Sequence, residues 1–323
     1  MTFARPPAGD DPLWPRASAW LGAGDPATAP LRVVGVPCSV GSISPSQAWR
    51  TPAAVRSALV RLSPWDAVSG TDLLAELPAA DLGDWPVADD DLPTAIERIA
   101  TLAERLRTDS GASLPVDHTV YAFLGGDNAI TRPLVAGLLG PDLATVGLVT
   151  LDAHHDVRHL DEGPRNGTPV RGLLEDGLPG GNVVQVGIGA FSNSAPYRAW
   201  CDDHGITAIG VDRVHAQGVD AIVEEALRHL DGCTQIFVDV DVDVLDVAYA
   251  PACPGARPGG FTPGQLFAAV RLLADDPRVV ACDLVEVDAA TDHDGRTVMA
   301  TAMTLLAFAA GVAGRSAGEG AGA

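Results

Sequence analysis

Short apolar runs alternate along this chain with stretches of helical periodicity, and two of those runs lead straight into crowded acid. Residues 31–36, 120–124, 146–151, 183–188, 207–211, 236–244 and 279–287 read as strands. Residues 52–62, 193–204, 219–230, 263–273 and 297–310 read as helices. That alternation predicts an α/β fold with a parallel sheet covered by helices on both faces. In such sheets ligands sit beyond the carboxyl ends of the strands, so polar residues that directly follow apolar runs are the candidates for chemistry.

The first acidic place is Val149-Thr150-Leu151-Asp152-Ala153-His154-His155-Asp156, two carboxylates and two imidazoles at the end of one strand. Carboxylate oxygens combined with imidazole suit manganese ahead of zinc, nickel or iron. The second is Val238-Asp239-Val240-Asp241-Val242-Asp243-Val244. Strand side chains alternate, so Asp239, Asp241 and Asp243 are expected on one side with the valines on the other. Three carboxylates on one face repel one another, and a divalent cation makes the arrangement favourable. The competing reading is an edge strand with a solvated acidic face. His154 holds the better ligand position of its pair, which leaves His155 as a supporting or surface residue.

Composition bounds the rest. A chain of 323 residues, 47% hydrophobic, can bury a large single core. We expect a Pro/Gly-rich arm over residues 1–30, one domain over 31–312 and a flexible tail over 313–323. The apolar strand runs are too short for a bilayer, and the start has Asp10 and Asp11 where a secretory signal has basic residues, so the expectation is a cytoplasmic protein without a membrane span. Cys38, Cys201, Cys233, Cys253 and Cys282 lack metal or redox spacing and read as buried free thiols. A formal net charge of −21 argues against nucleic acid as a partner.

Asp152-Ala153-His154-His155-Asp156, followed by Asp241-Val242-Asp243-Val244-Leu245-Asp246 and a Pro-Gly-rich loop ending in Gly259-Gly260, resembles the ureohydrolases: arginase, agmatinase, guanidinobutyrase and formimidoylglutamase. The resemblance runs from about Val33 to Gly311. It implies a three-layer α/β/α sandwich with a mostly parallel central sheet, and Mn2+, one or two ions per subunit, held by Asp152, His154, Asp156, Asp241 and Asp243. The family usually adds a His from a Gly-Gly-Asp-His turn, whereas this chain reads Gly125-Gly126-Asp127-Asn128. Asn128 is then either a neutral, weaker metal ligand or an ordinary turn residue. By the same resemblance a homo-oligomer is possible.

Within the family, the wording around Asp156-Val157-Arg158, Asn166-Gly167-Thr168-Pro169, Gln185-Val186-Gly187-Ile188 and Glu286-Val287-Asp288 is similar to formimidoylglutamase. That implies a small-molecule amidine substrate, N-formimidoyl-L-glutamate, cleaved to glutamate and formamide. Two carboxylates on the substrate call for cationic partners, and Arg158, Arg165 and Arg171 are the candidates, with Asn166 beside them. The resemblance assigns Asp156 to orienting the attacking water and Glu286 to holding the amidine, with His155 and Asp156 as candidate proton donors. Two other readings stand beside it: an agmatinase or other guanidine hydrolase that releases urea, and a metal-poor pseudoenzyme, suggested by Asn128 and Asn166.

Overall fold

The computed structural model describes residues 11–109 and 119–320. Ten strands appear in chain order: β1 Leu31–Gly35, β2 Trp65–Asp66, β3 Thr71–Asp72, β4 Ala79–Asp84, β5 Val120–Leu124, β6 Val146–Leu151, β7 Val183–Ile188, β8 Thr207–Gly210, β9 Gln235–Asp241 and β10 Val279–Val285. Eight form one sheet in the order β4-β1-β5-β10-β9-β6-β7-β8, and each of its pairings is parallel. β2 and β3 make a separate antiparallel hairpin.

The central strands β5, β6, β9 and β10 are mostly apolar because both of their faces are covered. Val146 and Leu148 of β6 enter one buried layer while Val149 and Leu151 enter the other, the period-two division of a pleated strand. Helices Thr51–Leu59, Val219–His229, Pro263–Asp275 and Arg296–Gly320 cover the layer of Val149 and Leu151 through Val55, Ile222, Leu266 and Phe308. Helices Leu92–Asp109, Thr131–Leu139 and Pro169–Glu175 cover the other through Ile99, Leu134 and Leu173. The result is the expected three-layer α/β/α sandwich. Its chain path lays β5 and β6 apart and later fills the gap with β10 and β9, so four strand ends from distant parts of the sequence converge at the centre.

Two strands stop two or three residues earlier than the apolar runs suggest, each for a local reason. β9 ends at Asp241 because the Asp241 carboxylate accepts the Asp243 backbone N–H at 2.8 Å and starts a 3-10 turn over Val242–Val244. The expectation that Asp239, Asp241 and Asp243 share one strand face is therefore corrected: Asp243 sits on the turn. β10 ends at Val285 because Glu286 has φ of 67°, in the left-handed region. β4 escaped the sequence reading because its Ala-Ala-Asp-Leu-Gly-Asp lacks β-branched residues. The helix Leu92–Asp109 is an addition to the helices expected from the sequence, and its Ala95, Ile99 and Ala103 recur at helical spacing, all buried.

At the ends of the chain, Trp20 is fully buried and its indole N–H donates to the Leu77 carbonyl at 2.7 Å, pinning the segment before β1 to the body. The last helix continues past residue 310 to Gly320, and Arg315 donates to the carbonyls of Ala274 and Val279. Residues 1–10 of the expected arm and 321–323 of the expected tail lie outside the described residues. Residues 296–315 are long and apolar enough, by length and composition, to cross a membrane, which the reading of short apolar strand runs did not register; 78% of the apolar window is buried inside the protein. The five cysteines are free and buried.

Candidate metal centre and active site

Four strand ends supply the site. The turn after β5 carries Asp127 and Asn128, the loop after β6 carries Asp152 to Asp156, β9 ends in Asp241 with Asp243 on the following turn, and β10 hands over to Glu286. Backbone bonds lock these exits together: Gly125 N–H donates to the Leu284 carbonyl and Glu286 N–H to the Gly126 carbonyl, at 2.8 and 2.9 Å. Asp152 N–H donates to the Val186 carbonyl at 3.1 Å, continuing the sheet one residue past β6.

The five sequence-predicted ligands come together. Donor atoms of Asp152, His154 and Asp243 lie within 4.8 Å of one another, and so do those of Asp152, Asp156 and Asp241; Asp152 belongs to both groups. Asp152, Asp241 and Asp243 are almost fully buried, with 1%, 3% and 3% exposure. Gly255 closes over them, and a Cβ there would collide with Asp243. Buried carboxylates at this density require compensation. A donor set of four carboxylates and one imidazole fits a hard divalent cation.

Without a cation, protons take the compensating role. Burial, then the charge of Asp243, pushes the Asp152 carboxyl up to about 7. Burial and neighbouring carboxylates hold Asp156 and Asp241 well above the usual range. His154 runs the other way. Burial alone lowers its affinity for a proton, but Asp243 and Asp152, 2.8 and 3.4 Å from Nδ1, overcome it and push the imidazole up to about 12. That imidazolium in turn holds Asp243 low against the burial that raises it. A proton on His154 Nδ1 thus points at the carboxylates with which the ring would share a metal.

Asn128 is buried and committed. Its Nδ2 donates to Asp156 Oδ2 at 2.7 Å, its backbone N–H donates to Glu286 Oε1 at 2.8 Å, and Thr131 Oγ1 lies 2.5 Å from its Oδ1. The amide nitrogen, not the oxygen, faces the carboxylate cluster. Asp156 and Glu286 both have left-handed backbones, φ of 52° and 67°, a cost of roughly 1–3 kcal/mol each that the surrounding bonds must offset. Such outliers gather at functional sites.

The remaining predicted residues divide. Asn166 reaches the site: its Nδ2 donates to Glu286 Oε1 at 3.0 Å and its Oδ1 accepts the Ile43 N–H at 3.0 Å. Arg158 is exposed, its stem lying over Gly167, where a Cβ would come within 2.7 Å of Arg158 Cδ. Arg165 is half-buried in the same loop, its backbone N–H bonded to Thr168 Oγ1. Arg171 is buried elsewhere, with its guanidinium 4.5 Å from the Trp200 ring centre and Nη1 2.6 Å from His159 Nδ1. His155 is buried, its Nδ1 2.6 Å from Gln185 Oε1 while Gln185 Nε2 donates to the His155 carbonyl. That pair of hydrogen bonds fixes the amide and puts the ring proton on Nδ1. Burial lowers the proton affinity of His155, so it is a neutral buttress of the loop.

Sequence reasoning passed over Asp283 and Thr131. Asp283 is fully buried on β10 opposite Asp239 on β9, and Thr131 Oγ1 lies 2.8 Å from its Oδ2. A lone acid inside an apolar run was the available signal, the one that exposed Asp239.

The arginase family model matches residues 29–310. Formimidoylglutamase of Halalkalibacterium halodurans is 37% identical over 289 residues, which span 88% of each chain. The crystal structure of formimidoylglutamase from Bacillus subtilis superposes with a TM-score of 0.86 at 33% identity, covering 96% of both chains. The fold is shared also with Trypanosoma cruzi formiminoglutamase, solved with Mn2+, at a TM-score of 0.81 and 24% identity over 94% of this chain and 99% of that one. Fold, donor cluster and sequence agree that the chain belongs to the arginase family.

Proposed function

We propose that this protein hydrolyses N-formimidoyl-L-glutamate to L-glutamate and formamide, as a cytoplasmic enzyme that uses Mn2+. The observation that carries the reading is the five-residue donor cluster set beside Glu286, a carboxylate whose hydrogen bonds from Asn128 and Asn166 both fall on Oε1. The similarity to formimidoylglutamases supports the choice of amidine.

Asp152, His154, Asp156, Asp241 and Asp243 would hold the ion, and Asn128 would stand behind them as a donor to Asp156. When bound, the ion supplies the positive charge that lets water attack near neutral pH. The two amide donors on Oε1 keep the Glu286 carboxylate from rotating, which leaves Oε2 for the cationic amidine. Burial, the largest influence, raises Glu286 to about 6, so it is charged at neutral pH and attracts the amidinium. Asp156, oriented by Asn128, takes the proton from the attacking water and returns it to the leaving amine of glutamate. Asn166 is no acid and His155 is committed to Gln185, so neither delivers that proton. Arg158, exposed beside Asn166 and Gly167, is the cation best placed for a substrate carboxylate.

The test is parallel incubation of the Mn2+-loaded protein with N-formimidoyl-L-glutamate, agmatine, arginine and 4-guanidinobutyrate, scoring formamide and urea. Formamide from the first substrate alone supports the proposal. Urea from a guanidine moves the chain to the agmatinase side, and less than one firmly held ion per chain without turnover identifies a pseudoenzyme.

A further inference from the structure

A hollow of about 910 Å³ opens at the carboxyl ends of β1, β4 and β10, bounded by the start of helix Thr51–Leu59, the end of β4 and the loop after β10. That volume lies within the range of small-molecule sites. Its lining combines small side chains, Ala53, Ala54, Ala289 and Ala290, with the indoles of Trp49 and Trp85. Trp85 packs against Phe123, ring centres 5.7 Å apart, while Trp49 is 41% exposed.

The polar groups in this wall are unequally engaged. Asp84 is paired with Arg56, and both oxygens of Asp292 accept backbone N–H groups of Thr297 and Val298. Arg50 is different: among the described residues its contact is the Trp49 ring, 4.9 Å from guanidinium carbon to ring centre. An indole that holds a guanidinium by cation–π attraction leaves its N–H groups directed outward for an anion. Two indoles in one lining, one of them carrying an arginine, match a flat ring system that bears a negative charge.

We propose that the hollow lined by Trp49, Arg50 and Trp85 is a binding site for a planar aromatic anion, separate from the carboxylate cluster. The wall is mechanically tied to the active site. Thr51 Oγ1, next to Arg50, donates to the Val287 carbonyl at 2.6 Å, and Val287 adjoins Glu286. Occupancy is therefore felt at Glu286, a consequence that rests on the amidine hydrolase reading whereas binding itself does not.

The probe is 1-anilinonaphthalene-8-sulfonate, titrated into the full-length protein and followed by its fluorescence. One saturable equivalent per chain is expected. Trp49→Ala and Arg50→Gln, both at exposed positions, each weaken it at least tenfold, and Val68→Ser on the distant β2–β3 hairpin leaves it unchanged. Binding that survives both Trp49→Ala and Arg50→Gln, or that is lost in Val68→Ser, overturns the site. The uncharged N-phenyl-1-naphthylamine is expected to bind at least tenfold more weakly, and equal affinity overturns the anion preference. With the probe bound, KM for N-formimidoyl-L-glutamate is expected to change at least twofold; an unchanged KM overturns the link to Glu286 and leaves the binding result standing on its own.

Discussion

Asn128 donates its amide N–H to Asp156 Oδ2 at 2.7 Å, so the residue at the position of the family's usual histidine ligand presents a hydrogen-bond donor to the cluster. A cation gains nothing directly from that nitrogen. Asn128→His would exchange the donor for an imidazole lone pair, and we expect Mn2+ affinity to rise on the order of tenfold or more. Calorimetric titration of metal into both proteins measures it; equal affinities would show that position 128 does not control the metal.

Asp241 belongs to one of the two donor groups and is buried at the end of β9. Asp241→Ala is expected to remove bound metal and turnover together, with activity down about a thousandfold or more, in line with the loss of a charge-stabilising group from a catalytic site. Elemental analysis and formamide release read the two quantities, and unchanged turnover in a verified variant rules this site out.

Asn166 clamps Glu286 from the side while holding Ile43 N–H. Asn166→Ala leaves the donor cluster intact but frees Glu286, so metal content should stay constant. Loss of a hydrogen bond to a charged group costs about 1.5–3 kcal/mol, which places the fall in kcat/KM at roughly ten- to hundredfold. A matching loss of metal would mean that Asn166 supports the cluster and not the amidine-binding carboxylate of Glu286.

Arg158 and Arg171 separate binding from packing. Arg158→Ala should raise KM for the dicarboxylate substrate about tenfold with little change in melting temperature, since Arg158 is exposed. Arg171→Ala removes a buried guanidinium stacked on Trp200 and bonded to His159, and should lower the melting temperature while KM stays near that of the parent. Thermal melts and steady-state kinetics on both variants decide, and the reverse pattern would exchange their roles.

The metal-free protein should lose stability as pH rises. Burial raises the carboxyls of Glu286 to about 6, Asp152 and Asp283 to about 7 and Asp127 to about 8. Each binds its proton more tightly folded than unfolded, so its contribution is complete below about pH 4 and is lost as pH rises through the raised values. His154, pushed up to about 12, acts in the same direction above about pH 6.5. Bound Mn2+ replaces the protons of its ligands Asp152 and His154, so the gap in melting temperature between loaded and metal-free protein should widen from about pH 5 to about pH 8. A constant gap would show that protons do not substitute for the cation.

How much of this was legible beforehand follows the range of the interactions. The parallel sheet, its helix layers and the five donors could be read from the chain because apolar periodicity and acids at the ends of apolar runs are local signals. Asp152, His154 and Asp156 lie within five consecutive residues, and Asp241 and Asp243 are two apart. What Asn128, Asn166, His155 and Arg171 do was not legible, because each role is set by a partner distant in sequence: Asp156, Glu286, Gln185 and Trp200. A side-chain amide reads the same in sequence whichever end faces a cluster. Only the side-by-side placement of β5, β10, β9 and β6 at the sheet centre, which brings four strand exits together, decides that Asn128 turns its nitrogen to Asp156, and only the packing of helix Pro169–Glu175 beside helix Ala195–Asp203 turns Arg171 to Trp200.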